Sequence, residues 1–484
     1  MTIRSRDLPK ERFGRWMTML PDLRIPERHR PEYQSAFERG PHERPLRIVI
    51  DRQTLQAGYE LALNDELTTG AEFEVIGTSE TDRLHALVGP GAENGVKVVG
   101  PESTTRFSGP DPGTYQSQVS AHAHRYPDRE TGAGRDVLLV HLANRSGADL
   151  LVTESPGLRS HAIWGSARLA VGLGEALAVI GLFRRSRKLY KTRRRSSEPD
   201  VAEYFYRRLA AVHLPSIDMW WAAALASQRG SPENGLPVEL VLTINERVAR
   251  VLRCRDQIQW LTRGPEDSDG RHQVMMFFDV ALLMLSGAFD AVAELGNAVY
   301  STGSARPGWR AEGWTKKLGA AGAATTVELM SNGQPGSCLT LVQTLRNTVH
   351  GVRLRGRASR TGKVEALVPR KRMDEVFTRL KEYSMEPPAL WGIKESRLGP
   401  PTMIGPSSRS YRPSPNHPLD ELAIDPATFL ERLLPGALRS LNDVLSSMDY
   451  SRLAGPVIAG APPDVDPEDA TEDARRRVAL LGGI

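Results

Sequence analysis

Apolar positions first recur at strand-like density in LRIVI (46–50), after a polar, Arg-rich stretch with scattered prolines over residues 1–44. From there to about residue 185, short apolar runs alternate with helical spacing. EFEVIG (72–77), VKVVG (96–100) and DLLVT (149–153) have strand length, whereas QTLQAGYELAL (53–63), residues 80–87 and GEALAVIGLF (174–183) are spaced as helices. Strands alternating with helices predict a parallel sheet covered by helices on both faces. The Gly-, Ser- and Pro-rich stretch 101–134 reads as a long inserted loop.

The pattern changes after Phe183. RRSRKLYKTRRR (184–195) places eight basic residues and no acid in twelve positions. Beyond about residue 200 the apolar spacing is helical, predicting helices at 200–212, 216–227, 237–262, 273–299, 313–330, 338–351 and 371–383, with a polar break at 263–271. A Pro/Ser-rich linker (395–418) and a helical pair (425–448) follow, and the tail from 461 is acidic. The expected fold is therefore α/β followed by all-α. Its segments are an arm (1–44), an α/β domain (45–185), a basic linker (186–199), a helical domain (200–394), a linker with a helical pair (395–460) and a tail (461–484).

Composition is that of a folded chain: of 484 residues, 40% are hydrophobic and 25% charged. The 63 Lys and Arg against 58 Asp and Glu leave a charge of +5, so local clustering carries more information than the total. Only Cys254 and Cys338 are present, too few for a disulfide framework or a four-thiolate zinc site, which fits a reducing compartment. The first residues hold no apolar leader. The longest apolar run, VMMFFDVALLMLSGAFDAV (274–292), is interrupted by Asp279 and Asp290, so a buried helix is expected rather than a membrane span, and the cytoplasm is the expected location.

Asp51 closes the first strand and is followed by Leu55, Asp136 opens DVLLVHLANRSGADLLVTES, and EALAVIGLFRR closes the α/β region. In these features the region resembles the PIN nuclease fold. The resemblance implies a cluster of carboxylates at the carboxyl ends of parallel strands that holds Mg²⁺ or Mn²⁺ and activates water against a phosphodiester. Asp51 and Asp136 match that role directly. Glu154 stands one position before the place the family usually gives its later acid, and Glu80 is the loose candidate for the acid after the second strand, with Asp82 as its alternative. Read without the resemblance, Asp51 and Asp136 are a helix cap and a strand-end acid of an ordinary α/β domain.

In the helical half, CLTLVQTLRNTVHG puts Arg346 and His350 four residues apart on one helix face, with Asn347 beside the arginine. Together with HQVMMFFDVALLMLSGAFDAVAELG this resembles the HEPN superfamily of helical bundles, many of them dimeric, metal-independent endoribonucleases. The resemblance implies that Arg346 contacts a scissile phosphate, Asn347 supports the site and His350 moves protons. Three residues separate Arg346 from His350, where the family more often has four to six. The alternative is a helix end whose cations complement the dipole, with Gly351 as its stop.

The basic run could follow a phosphate backbone, with Tyr190 available for stacking, or form a solvated linker. Taken together, the expectation is an intracellular endoribonuclease of toxin-like or phage-defence type, acting on RNA as a homodimer formed through the helical domain. The alternative is a non-catalytic RNA-binding or dimerising scaffold whose two nuclease-like sites have decayed.

Overall fold

The computed structural model describes residues 46–51, 73–77, 85–87, 104–106, parts of 117–144, residues 148–159 and 169–190 apart from 187 and 189, and residues 201–454 apart from 232–234, 263–267, 332, 352–354, 359–363, 385 and 396–420. The chain divides into two units, with the break between Ser196 and Ser197.

The first unit contains β1 (Leu46–Ile50), β2 (Phe73–Gly77), β3 (His85–Leu87), β4 (Thr104–Arg106), β5 (Leu150–Val152), the short α1 (Pro156–Arg159), β6 (Leu169–Val171) and α2 (Leu173–Ser186). Its main sheet has the order β2-β1-β5-β6 and every pairing is parallel, in register Ile48 to Val75, Ile48 to Leu150 and Val152 to Val171. Consecutive Ile48 and Val49 are both fully buried, so β1 is covered on both faces and reads as an unbroken apolar run. Val49 and Leu151 pack with Leu139, Ala143, Ala148 and Leu158. The expected parallel sheet is thus present. Residues 85–87, expected to be helical, are instead extended and pair antiparallel with β4, His85 opposite Arg106. Three residues carry too little intrinsic preference to resist a β-branched partner such as Thr104–Arg106. Glu80, the region 53–63 and VKVVG lie outside the described residues.

The second unit is chiefly helical: α3 (Ala202–His213), α4 (Ile217–Gly230), α5 (Leu236–Leu261), α6 (Ser268–Val299), α7 (Glu312–Ala320), α8 (Ala324–Ser331), α9 (Gln334–Gly351), α10 (Arg370–Tyr383), α11 (Pro426–Ser447) and α12 (Ser451–Ala454). The long α5 and α6 pack along one another, and α9 and α11 also pack against α6. Asp269–Val299 is long and apolar enough to cross a membrane, but it buries Phe278, Leu282, Leu285 and Phe289 within the unit, as a core helix does. Trp220 is core, as its helical setting implied, with its indole N–H donating to the Leu445 carbonyl at 3.0 Å.

Three expectations for this half need correction. The segment 313–330 is two helices, because the chain turns at Gly322 with φ +100°, a conformation glycine adopts without strain. The expected pair at 425–448 is the single helix α11, capped by the Asp425 carboxylate, which accepts from the Ala427 and Thr428 amides, and running on through Pro435. The half is not all-α. β7 (Arg355–Ala358), β8 (Val364–Pro369), β9 (Ile393–Glu395) and β10 (Glu421–Ile424) form an antiparallel sheet in the order β7-β8-β10-β9. These strands are three to six residues long and lie between helices, so periodicity has little length on which to register.

Candidate functional site

Chain order makes the carboxyl edge of the parallel sheet special. From β1 the chain moves to β2 on one side, then returns to β5 and β6 on the other. Adjacent strands whose connections depart in opposite directions leave a crevice beyond their carboxyl ends, the usual ligand position in open α/β sheets. Asp51 follows β1 there, and Thr153, Glu154 and Ser155 follow β5. The ladder continues past both strands, with the Asp51 amide donating to the Val152 carbonyl at 2.9 Å and the Thr153 amide to the Val171 carbonyl at 2.8 Å.

Two of the predicted carboxylates meet at this edge through a hydroxyl relay. Asp51 is 3% exposed and its Oδ2 accepts from Thr153 Oγ1 at 3.0 Å. Asp136 is 6% exposed and its Oδ2 accepts from Ser155 Oγ at 2.9 Å. The Ser155 amide donates to Thr153 Oγ1 at 3.1 Å, closing the link between the two. Buried carboxylates are tolerated only when hydrogen bonds replace water, so Thr153 and Ser155 hold Asp51 and Asp136 in place as well as satisfying them. Asp136 belongs to a helical stretch whose Leu139 and Ala143 sit in the core, which anchors its backbone.

Glu154 alternates away from this pair. It is exposed and accepts from Arg159 Nη1 at 2.7 Å, at the end of α1. The pair lies over Gly172, just after β6, where a Cβ would come within 2.9 Å of Arg159 Cζ and 3.1 Å of Glu154 Oε1. The structure therefore brings Asp51 and Asp136 together and gives Glu154 a separate, ion-paired position. Among the described residues no group of three or more His, Cys, Asp or Glu side chains could hold a metal ion. The donors present are oxygens, which suit a hard cation. Mg²⁺ commonly binds through one or two protein carboxylates, completing its shell with water and substrate phosphates, and Asp51 with Asp136 fits that mode.

In the helical unit, Arg346 and Asn347 lie near the end of α9, both exposed, with Arg346 Nη1 donating to Asn347 Oδ1 at 3.4 Å. His350 is one turn further along the helix, and its side chain lies outside the described residues. The sequence reading missed what faces Arg346. Asp290 on α6 is exposed, and partial desolvation raises its carboxyl pKa against the opposing pull of Arg346 and Arg247. Glu294 is raised as well, by burial and then by the Asp290 charge. Arg247 on α5 donates to the Gly287 carbonyl, so a charged seam joins α5, α6 and α9. The signal was present: Asp290 is one of two acids in an otherwise apolar run.

Of the basic run, Arg184 and Arg185 belong to the end of α2. Arg185 is buried and Arg184 and Tyr190 are half-buried, while Lys188 is exposed. Residues 191–195 lie outside the described residues. Comparison of the chain with protein-family models, characterised proteins and solved structures yields no match.

Proposed function

We propose that the N-terminal unit is a divalent-cation-dependent endoribonuclease. The observation that carries this reading is the placement of Asp51 and Asp136, both buried and joined through Thr153 and Ser155, at the switch point of the parallel sheet. Their carboxylates hold Mg²⁺ or Mn²⁺, which when bound activates water for attack on an RNA phosphodiester. Thr153 and Ser155 orient one oxygen of each carboxylate. Arg159, with a side chain 39% exposed beside Glu154, is positioned to meet an incoming phosphate. On the helical unit, Arg346, Asn347 and His350 form a second, metal-independent cleavage site across a homodimer. The biological setting proposed is cytoplasmic RNA restriction of toxin or phage-defence type.

The test is incubation of the purified protein with total RNA, with and without EDTA. Asp51→Asn keeps the size and removes the charge, so Mg²⁺- or Mn²⁺-dependent cleavage is expected to fall by orders of magnitude. Unchanged metal-dependent cleavage in the folded variant rejects the assignment.

One observation favours a second reading, a non-catalytic RNA-binding, dimerising scaffold. Glu154, the expected third acid, is committed to Arg159, which leaves two carboxylates at the switch point among the described residues. RNA binding without cleavage in either condition selects it.

A further inference from the structure

We propose that Glu154 is a built-in competitor for a substrate phosphate: in the free protein its carboxylate occupies the guanidinium fork with which Arg159 takes a backbone phosphate of RNA. This deepens the reading of the N-terminal unit given above, naming a contact that the substrate must break.

Sequence order places the pair. Thr153 and Ser155 turn to Asp51 and Asp136, so Glu154 between them turns away. The short α1 then brings Arg159 back, and its Nη1 donates to Glu154 Oε2 at 2.7 Å. The pair rests on Gly172, just past the end of β6, which pairs directly with β5. Because β1 lies on the other side of β5, the guanidinium stands two strand spacings, about 10 Å, from the end of β1. It is therefore beside the carboxylate pair rather than on it, where a phosphate next to the scissile one would lie.

The close approach at Gly172 gives the fork a fixed seat. Gly172 is buried, and a Cβ there would come within 2.9 Å of Arg159 Cζ and 3.0 Å of Nη2. Its φ is not positive, so the glycine serves this approach rather than backbone freedom.

An independent observation points to a ligand. Arg159 Nε is buried and has no hydrogen-bond partner among the described residues, so the contact with Glu154 leaves the fork incompletely satisfied. An unpaired buried donor costs free energy, and an acceptor with several oxygens in the plane of the fork removes that cost. Phosphate has this form, and arginine binds it bidentately. Exchange is accessible, because Arg159 and Glu154 are 39% and 48% exposed and exposed ion pairs are weak and screened by salt. An RNA bound along the sheet edge presents its phosphates at high effective concentration, which lets one displace a carboxylate of the same chain.

The test is a double-mutant cycle on the full chain: Glu154→Gln, Arg159→Gln and the two together. Fluorescein-labelled single-stranded 2′-O-methyl RNA is titrated by anisotropy in EDTA over a salt series, where neither proposed cleavage proceeds. Arg159→Gln is expected to weaken binding about tenfold and to lower the salt slope by about 0.7, the value of one phosphate on a single strand. Glu154→Gln is expected to tighten binding about threefold at low salt, the size of an exposed ion pair. In the Arg159→Gln background, Glu154→Gln is expected to change nothing. Arg159→Lys, which keeps the charge and loses the fork, should retain the parent's salt slope. Equal tightening with and without Arg159 shows that Glu154 acts through the general field, and overturns the proposal. So does unchanged affinity and slope in Arg159→Gln, absence of RNA binding in both the parent and Glu154→Gln, or a weakening that tracks a lowered Tm and is not rescued by Arg159→Lys. Mg²⁺-dependent cleavage scores the nuclease reading separately. Coupling between the two residues in a protein that binds RNA without cutting it keeps the competitor and rejects the nuclease, whereas metal-dependent cleavage with additive variants does the converse.

Discussion

Thr153 shows how much rests on one hydroxyl at the sheet edge. Thr153→Val preserves shape but leaves the buried Asp51 carboxylate short of a donor, which should cost about 1–3 kcal/mol in urea unfolding. Metal-dependent cleavage should fall further than stability does, because the carboxylate is no longer held in position. A second residue makes a pH prediction. His213, at the end of α3, has its Nε2 buried without a hydrogen-bond partner among the described residues, and burial followed by the Arg255 charge pushes its pKa from 6.5 down to about 3. Between those values the unfolded chain binds a proton that the folded chain refuses, so His213 makes stability fall as pH drops from 6.5 toward 3 and leaves it unaffected above that window. His213→Phe should flatten this part of the curve relative to the parent. Identical pH profiles for the two proteins would show that the imidazole is not held neutral. Asp51 and Asp136 were legible in the sequence because they punctuate apolar runs. Their connection was not, since the Thr153–Asp51 bond spans 102 residues and depends on strand register.

At the scale of elements, α11 carries a test of close packing. Pro435 within it cannot donate the next helical hydrogen bond, and a Cβ on Gly436 would overlap the Tyr383 hydroxyl at the end of α10. Tyr383 is held there by the Trp391 ring at 5.9 Å and by hydrogen bonding with the buried Cys338 thiol. Gly436→Ala should therefore destabilise the unit by about 1–3 kcal/mol, and Tyr383→Phe should recover part of that loss by removing the overlapping atom. Additive effects in the double variant would refute the contact. The same region marks where pattern reading stops. β1, α5 and α6 were legible because their runs are long or uniformly apolar. β7 reads RGRA, with no apolar alternation, and is a strand because β8 pairs with it. Tertiary pairing supplied information that local spacing did not contain.

For the whole molecule, the two-unit division separates the two proposed chemistries, Asp51 lying in one unit and His350 in the other. Asp51→Asn should abolish cleavage that EDTA suppresses and leave any EDTA-resistant cleavage untouched, with His350→Ala doing the converse. Loss of both activities in either variant would show that they share one centre. The order β2-β1-β5-β6 also has a consequence in time. β1 and β5 are neighbours in the sheet, yet Ile50 and Leu150 stand a hundred positions apart in sequence. Their pairing must overcome a long loop closure, whereas neighbouring helices such as α5 and α6 meet across a short connection. On a ribosome the helical unit emerges later but assembles from nearer neighbours, and the crevice between Asp51 and Asp136 cannot exist until β5 has been made and has found β1. During refolding from urea, tryptophan fluorescence, six of whose eight indoles lie in the helical unit, should recover before Mg²⁺-dependent cleavage does.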